Sequence, residues 1–329
     1  MQQTVLAIDL GGTKLLIGEI DQNGQILSQK SFTSNTSSQQ AAYQQIIAAI
    51  QEFLATVPQK GELVGISLAV VGRVSEEKGI WFEIHPENAE PIELAKVLSN
   101  IFDLPCIINN DVTSATYAEQ YLGIGRDTND FIYLNIGTGI AARIVTGGHI
   151  VSGTSFNAGE IGHLVIDMTM ERSCVCGRKG CVETFASGLG MSNQAIEWLP
   201  QHPESHLNQL YDSREKNRLS AQSIFSSAVS GDKLAQRVME KASRGISELI
   251  MNLVRVSDTD AVILGGGVMN NDLFFHLVTQ QLNQKTIRFV RNGIHRTTVD
   301  MNKITLIGAG LRGFKKLRKE EEANGAVCT

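Results

Sequence analysis

One histidine and three cysteines form the most chemically suggestive segment of the chain. His163 ends the sequence GluIleGlyHis, and Cys174, Cys176 and Cys181 follow it closely. One imidazole and three thiolates are a ligand set typical of tetrahedral Zn²⁺, with no position left for water. The spacing therefore predicts a structural zinc site. The alternative is that these four residues fill a reduced core.

Two glycine turns have the composition of phosphate-binding loops. The first, GlyGlyThrLys, follows Asp9 at the end of a predicted strand, and the second is IleGlyThrGly at 136–139. Glycines let backbone amides approach an anion closely, and Lys14 adds a positive charge. Ordinary hairpins use the same residues, so the first turn alone is ambiguous. The pair favours phosphate binding.

A carboxylate stands at a third strand end. Asp111 ends the sequence AsnAsnAsp, which follows the apolar CysIleIle and precedes a helix that begins near Val112. Such a carboxylate could face a cleft and take up a proton. An Asp at this place could equally serve only as a helix N-cap.

The elements that must position these residues alternate between strands and helices. Residues 4–29 predict three antiparallel strands, 38–56 a helix and 63–71 a buried strand. A second set follows, with strands near 131–136, 140–146 and 261–264 and two helices between 220 and 257. The pattern indicates an α/β protein built from two duplicated halves. The sequence GlyAlaGlyLeuArgGly (308–313) predicts close helix packing, because too little chain follows for a dinucleotide-binding βαβ unit.

Composition excludes several classes of partner. The chain has 329 residues and a net charge of −5, so no global positive field attracts nucleic acid or an anionic membrane. No basic and apolar leader and no membrane span is recognisable, and Cys106 and Cys328 do not suggest a disulfide framework. These features predict two domains and a cytoplasmic protein. The charged run 315–322 is expected to be a solvated helix end.

Several of these motifs together resemble the ROK family of sugar kinases and repressors. The blocks are AspLeuGlyGlyThrLys (9–14), AsnAsnAsp (109–111), IleGlyThrGlyIle (136–140), the zinc segment and LeuGlyGlyGly (264–267). The resemblance implies the actin-like ATPase (ribonuclease H-like) fold, in which two lobes enclose a cleft. It places residues 1–113 and 301–329 in a small lobe and residues 114–300 in a large one.

The same resemblance implies an ATP-dependent sugar kinase that uses Mg²⁺, with Asp111 as the general base toward the sugar's 6-hydroxyl. The implied ATP-binding residues are Asp9, Gly11, Gly12, Thr13, Lys14, Gly137, Thr138, Gly139, Gly265, Gly266 and Gly267. The implied sugar-binding residues are Gly72, Arg73, Asn88, Asn110, Asp111, Glu160, His163 and Glu183. The three LeuGlyGlyGly glycines could instead mark a close helix–strand crossing. Zinc is expected to order the sugar site through His163 without touching the phosphate side.

Departures from the family pattern bear on the substrate. ValValGlyArgValSer replaces the ProGlyPro of many family glucokinases and resembles the N-acetylmannosamine kinases, whereas other segments resemble allose kinases. Arg73 could contact substrate or be a solvated turn residue, and Asn88 could be a plain loop residue. Arg143 stands where the family has glycine, and it could point into solvent or reach a phosphate. N-acetylmannosamine or glucose is the favoured substrate.

Two other functions compete with the kinase interpretation. A catalytically silent sugar sensor that acts through a protein partner would keep the zinc fold, but the intact Asp111 and phosphate turns argue against it. A DNA-binding role is not expected, since Asp9 follows the start of the sequence at once and the charge is acidic. The family resemblance implies a homodimer or a dimer of dimers.

Overall fold

The computed structural model of the protein describes residues 2–84, 86–211 and 218–326, and side chains as far as Leu317. Cys328 and the end of the charged run lie outside the described side chains. The strands are β1 (Gln3–Leu10), β2 (Lys14–Asp21), β3 (Ile26–Thr33), β4 (Glu62–Val70), β5 (Arg73–Ser75), β6 (Ile80–Glu83), β7 (Cys106–Asn110), β8 (Phe131–Ile136), β9 (Ile140–Thr146), β10 (His149–Ile150), β11 (Ala261–Gly265) and β12 (Ile294–Arg296). The α-helices are α1 (Gln39–Thr56), α2 (Leu94–Phe102), α3 (Asp111–Tyr121), α4 (Glu183–Ala186), α5 (Gly188–Trp198), α6 (Leu207–Leu210), α7 (Ala221–Val229), α8 (Lys233–Ser257), α9 (Asp272–Gln280), α10 (Gln284–Ile287) and α11 (Ile304–Ala326).

The first sheet has the strand order β3-β2-β1-β4-β7. β1 pairs antiparallel with β2, β2 antiparallel with β3, and β1 parallel with β4. The prediction of three antiparallel strands is therefore confirmed. Ile8 and its neighbours on one face pack with α1 and α2, whereas Ala7 and Ala69 on the other face pack against Leu306 of α11. Burial of both faces explains why β1 is an almost continuous apolar run.

The second sheet has the order β10-β9-β8-β11-β12 and repeats the same pattern of pairing. β8 pairs antiparallel with β9 and parallel with β11, as β1 does with β2 and β4. The expectation of duplicated halves is confirmed by this shared topology. The long helix α8 begins at Asp232, whose carboxylate accepts a 2.9 Å hydrogen bond from the amide of Ala235.

The described residues form two compact units. One contains those of Met1–Arg126, Ser152–Asn157 and Thr298–Thr329, and the other contains those of Asp127–Val151 and Ala158–Thr297. The first boundary thus falls after α3, not at residue 113. The physical reason is that α3 packs on α11, so the helix that starts at Asp111 belongs with the first sheet.

The glycines of 308–313 are required by packing. A Cβ on Gly308 would lie 1.7 Å from the carbonyl oxygen of Ser114 in α3, and one on Gly313 would lie 2.9 Å from Ser67 in β4. The absence of a side chain at these two positions lets α11 approach both α3 and the sheet closely. The interpretation of this motif as a packing feature is confirmed. Within the described part of the chain, no helix has the length and apolar character needed to cross a membrane.

Candidate functional site

The first glycine turn joins β1 to β2 in unit one, the compact unit that contains β1. Ser34 donates 2.6 Å to the carbonyl oxygen of Gly11, and the amide of Ser34 donates 3.2 Å to the carbonyl of Thr13. These bonds turn the carbonyls toward the segment after β3. Among the described residues, the amides of Gly12 and Thr13 have no hydrogen-bond partner, so the turn presents donors that suit an anion.

Asp111 is the first residue of α3, at the carboxyl end of β7. The side-chain oxygen of Asn110 accepts hydrogen bonds from the amides of Val112 and Thr113, so Asn110, and not Asp111, is the N-cap. The carboxylate of Asp111 also accepts a 2.9 Å hydrogen bond from the amide of Val112. Because Asn110 already provides the N-cap, capping alone does not explain the presence of Asp111.

A second carboxylate interacts electrostatically with the first. Burial and, to a smaller extent, repulsion from Asp111 together raise the pKa of Asp9 to about 7, and Lys14 opposes the shift. The Asp9 side chain retains some exposure to solvent but is densely surrounded by protein. Two carboxylates that repel each other are suited to a bound cation, whose charge would stabilise both in the ionised form.

The turn around Gly72 is built into unit one through its neighbours on β6 and β7. Gly72 has φ +92°, and a Cβ there would lie 2.0 Å from the carbonyl oxygen of Glu83, so only glycine fits. Asn110 donates a 3.0 Å hydrogen bond to the carbonyl of Gly72. Asn110 thus fixes the turn and caps α3 with one amide group.

Arg73 is not a freely solvated turn residue. Its guanidinium bonds both carboxylate oxygens of Glu83, at 3.0 and 3.1 Å, and lies 4.5 Å over the ring of Phe82. Phe82 in turn stacks on Phe156, at 6.0 Å between ring centroids. Arg73 is therefore held rigidly. Asn88 lies exposed at the end of a short 3₁₀ turn, and no described contact joins it to these residues.

The second glycine turn lies at one wall of a cavity of about 900 Å³ in unit two, the compact unit that contains β8. The amide of Gly188 donates 2.8 Å to the carbonyl of Gly137, which fixes the turn to the start of α5. The cavity is lined by Gly137, Thr138, Gly188, Leu189, Ser192, Arg218, Leu219, Ser220, Ala221, Gly267 and Val268. The N-termini of α5 and α7 both lie here, so the cavity favours an anionic ligand.

The LeuGlyGlyGly motif divides between packing and the cavity. A Cβ on Gly265 would lie 2.2 Å from the Tyr133 hydroxyl, and one on Gly266 would lie 2.4 Å from the carbonyl of Ile136. These two glycines fit the alternative interpretation, in which glycine allows a close approach of neighbouring chain segments. Gly267 meets nothing within 4 Å and lines the cavity, so it is the one that leaves room for a ligand.

The four residues proposed as zinc ligands come together in unit two. Their ligand atoms all lie within 4.8 Å of one another, with His163 Nδ1 3.2 Å from Cys174 Sγ and Cys176 Sγ 3.6 Å from Cys181 Sγ. Tetrahedral coordination with Zn–S bonds of ~2.3 Å requires sulfurs ~3.8 Å apart, close to the observed distance. A backbone hydrogen bond from Arg178 lowers the pKa of the Cys176 thiol to about 6. The group fits a structural zinc.

Glu183 connects the cysteine loop to the second glycine turn. The amide of Ile140 donates a 2.7 Å hydrogen bond to Glu183 Oε2, and a Cβ on Gly139 would lie 2.7 Å from the same oxygen. Glu183 follows Cys181 by two residues, so the chain next to the cysteine loop contacts the second glycine turn. The expectation that zinc orders the sugar site without itself touching phosphate stays a prediction.

Arg143 calls for a correction. Its side chain is only 6% exposed, so the alternative in which it points into solvent is wrong. It donates to two backbone carbonyls of unit two. Loop 158–163, which includes Glu160 and His163, begins at one of these carbonyls.

Several residues of the site carry no signal that sequence reasoning used. Glu83, Phe82 and Phe156 are ordinary residues in the sequence, and only the fold brings them to Arg73. Ser187 and Ser220 could have been found as helix N-caps, which would have placed two helix N-termini. They are missing from the prediction because nothing in the sequence indicated that their helices contact the glycine turns. Arg218 and the buried amide of Asn109 were likewise not predicted. The latter is buried and has no hydrogen-bond partner among the described residues.

Comparison with known proteins agrees with the motifs. A sequence model of the ROK family matches residues 5–320. The N-acetylmannosamine kinase of Escherichia fergusonii is 30% identical over 289 residues, which are 87% of this chain and 90% of the relative. A putative N-acetylmannosamine kinase from Listeria monocytogenes, Lmo2764, superposes with a TM-score of 0.77 at 25% identity and covers 98% of this chain and 100% of its own.

A transcriptional regulator is also structurally similar. It is a ROK family homologue of the E. coli MLC protein, with a TM-score of 0.79 at 22% identity, covering 97% of this chain and 82% of that one. At this identity the likeness concerns the fold alone. The family match over nearly the whole sequence, together with the shared fold, is decisive: the chain belongs to the ROK family and has its duplicated, actin-like ATPase fold.

Proposed function

We propose that this protein is an ATP-dependent kinase that phosphorylates the 6-hydroxyl of a hexose or N-acetylhexosamine, with N-acetylmannosamine or glucose favoured. The observation that carries the proposal is Asp111, held at the N-terminus of α3 by the Asn110 cap and interacting with Asp9. The N-acetylmannosamine kinase of E. fergusonii, similar over most of its length, supports a sugar kinase in general and this sugar in particular.

The residues divide the work between activating the sugar and holding the nucleotide. Asp111 takes the proton from the 6-hydroxyl as that oxygen attacks the γ phosphate, a contribution typically worth ~10²–10⁴-fold. Its place as the first residue of α3, next to the Asn110 cap, fixes where the carboxylate starts. Asn110 orients both this helix and the Gly72 turn, which we place against the sugar's 2-substituent.

The nucleotide is assigned to the two glycine turns and the cavity of unit two. In unit one, the amides of Gly12 and Thr13, with Lys14, suit phosphate groups, and in unit two the hydroxyl of Thr138 suits them. Gly267 and the 900 Å³ cavity suit adenosine, and both walls carry helix N-termini. Asp9 would hold Mg²⁺, which would neutralise phosphate charge.

The sugar is assigned to Gly72, Asn110, Asp111, Glu160, His163 and Glu183. His163 turns Nδ1 toward the cysteine sulfurs, so Nε2 is the nitrogen that would meet a sugar hydroxyl. A bound zinc would fix the tautomer and the ring plane of that histidine. Arg73, held by Glu83 and by the Phe82 ring, forms a rigid wall of the sugar site. Asn88 stays a weaker candidate for contact with the sugar. We further propose a cytoplasmic homodimer or dimer of dimers.

The decisive experiment is ADP release with Mg²⁺ and ATP on glucose, mannose, fructose, allose, N-acetylglucosamine and N-acetylmannosamine. One sugar should give strong turnover, and Asp111→Asn should lower kcat by ~10²-fold or more while sugar affinity stays within a few fold. The 6-deoxy analogue of the active sugar should bind without turnover. Near-normal turnover in Asp111→Asn would remove the assigned general base.

A sugar-responsive regulator is the second candidate, because the fold is also that of the MLC homologue. This alternative predicts that a sugar binds, as calorimetry would detect, with no sugar-dependent ADP release in protein that contains zinc and binds ATP. The same panel of sugars therefore separates the two functions.

A further inference from the structure

Arg143 is a buried cation in the strand that leaves the second glycine turn. It lies in β9, where its side chain is 6% exposed. Burying a charge is costly unless hydrogen bonds compensate for the lost water, so the partners of this guanidinium must matter to the fold around it.

The guanidinium fixes one particular peptide segment to β9. Nη1 donates 2.8 Å to the carbonyl oxygen of Ala142 and 2.9 Å to that of Ala158. The amide of Ala142 donates 2.8 Å to the carbonyl of Gly159. The peptide at 158–159 is thus bonded to β9 both by a charged side chain and by the backbone.

Gly159 records how close this contact is. Its φ is +97°, and a Cβ there would lie 2.0 Å from the carbonyl of Ala142 and 2.5 Å from Arg143 Nη1. Glycine alone allows the backbone to bend against the guanidinium in this way.

The segment then runs back along β9 toward the glycine turn. At Gly162 a Cβ would lie 2.4 Å from the carbonyl oxygen of Ile140, three residues before Arg143. Glu160 lies between these two contacts, and His163 comes directly after Gly162. Loop 158–163 is therefore clamped at both ends to one strand, with Arg143 at its beginning.

We propose that Arg143 is a positioning residue that sets loop 158–163, and through it Glu160 and His163, in the geometry that binds the sugar. This proposal rests on the proposed function for its kinetic consequence, although the clamp itself does not. Arg143 acts on the loop through the carbonyl of Ala158, and its other acceptor is the carbonyl of Ala142 in β9.

The contacts predict which substitutions work. One nitrogen makes both hydrogen bonds, so the ammonium of Arg143→Lys can replace it, whereas Arg143→Met fills the space and donates nothing. We expect Arg143→Met to raise the KM for the sugar about tenfold or more, the size of a lost charge-assisted hydrogen bond, with the KM for ATP within ~threefold of the wild type. Arg143→Lys should restore most of the sugar affinity. Arg255→Met, at an exposed arginine of α8, is the matched control.

A measurement independent of activity is amide hydrogen exchange in the zinc-loaded protein. In Arg143→Met we expect at least tenfold faster exchange at Ala142 and at the amides of 159–163 than in wild type, Arg143→Lys or Arg255→Met. Unchanged exchange in Arg143→Met would overturn the proposal. So would equal rises in the KM values for sugar and ATP, or failure of Lys to restore the sugar KM, because these point to general damage. If the wild type phosphorylates no sugar, the proposed function fails and exchange alone decides this inference.

Discussion

Asp9 and Asp111 illustrate how two identical side chains receive different tasks from their surroundings. Asp111 lies at a helix N-terminus, which favours its charge, whereas Asp9 lies on β1 in dense surroundings that disfavour it. Burial raises the pKa of Asp9 to about 7, and repulsion from Asp111 contributes in the same direction. In the proposed function, Asp111 would act as the general base and Asp9 would hold the cation.

This difference predicts a pH-dependent effect of Asp9→Asn on stability in the absence of Mg²⁺ and nucleotide. A carboxyl whose pKa is raised on folding stabilises the protein fully below its unfolded pKa of 3.8, and loses that contribution as the pH rises through about 7. Wild type is therefore penalised at pH 8, and Asp9→Asn is not. We expect the free energy of unfolding of the variant to gain on that of wild type by ~1–3 kcal/mol between pH 5 and 8, reduced by the residual exposure of the side chain.

Urea unfolding at several pH values measures this difference, with Asp103→Asn at the exposed end of α2 as the control. The control should show no comparable trend, since asparagine tolerates the left-handed conformation of that position. A difference between Asp9→Asn and wild type that stays flat from pH 5 to 8 would contradict the electrostatic account.

At the scale of elements, the close crossing of α11 over α3 anchors the helix that carries Asp111. The position of Gly308 leaves no space for a methyl group, because its nearest neighbour is the backbone oxygen of Ser114. Backbone cannot move aside as a side chain can, so this crossing sets the distance between the two helices.

Gly308→Ala should therefore destabilise unit one more than Gly313→Ala. We expect a cost of ~3 kcal/mol or more for Gly308→Ala, at the upper end of overpacking effects, and ~1 kcal/mol for Gly313→Ala, whose neighbours are side-chain atoms of Ser67 and Val5 at 2.9 Å. Thermal unfolding measures both. If Gly308→Ala kept full stability but lost affinity for a dinucleotide, the packing interpretation of this GxGxxG motif would be wrong.

Local patterns predicted those elements whose signal lies within a short stretch of sequence. Apolar stretches such as the one around Ile8, together with the glycine turns that follow them, predicted β1, β2, β8 and β9. The cysteine spacing predicted which four residues meet. Partners that depend on distant chain segments were not predicted. Phe156 reaches Phe82 only because segment 152–157 packs with unit one, and Arg143 is buried only because loop 158–163 covers it. Neither contact leaves a periodic trace in the sequence.

At the scale of the molecule, two sheets of the same topology carry different additions. Unit two has the cysteine loop, and Glu183 connects that loop to the second glycine turn through Ile140. Unit one has its own apolar core, from Ile8 to Ile108, and none of the four proposed metal ligands. Loss of zinc should therefore disturb the structure of unit two only. It should weaken the binding of both the sugar and the nucleotide.

Removal of zinc should thus loosen unit two while unit one stays folded. The two tryptophans report on the units separately, since Trp81 is fully buried in unit one and Trp198 ends α5 in unit two, with Arg237 4.2 Å over its ring. In Cys181→Ser, which removes a buried cysteine of the proposed ligand set, we expect the emission of Trp198 to shift to longer wavelength and that of Trp81, isolated by Trp198→Phe, to stay constant. Calorimetry should find sugar and ATP-analogue binding each weakened by tenfold or more, because Glu183 follows the lost ligand and holds the amide of Ile140.

The matched control for this experiment is Cys106→Ser, a cysteine of β7 outside the ligand cluster. It should retain zinc, both tryptophan spectra and both affinities. If Cys181→Ser lost zinc and sugar affinity but bound the ATP analogue like wild type, the contact between Glu183 and Ile140 would not transmit the state of the metal site. The zinc loop would then serve the sugar alone, in spite of the 2.7 Å hydrogen bond that joins it to the phosphate turn.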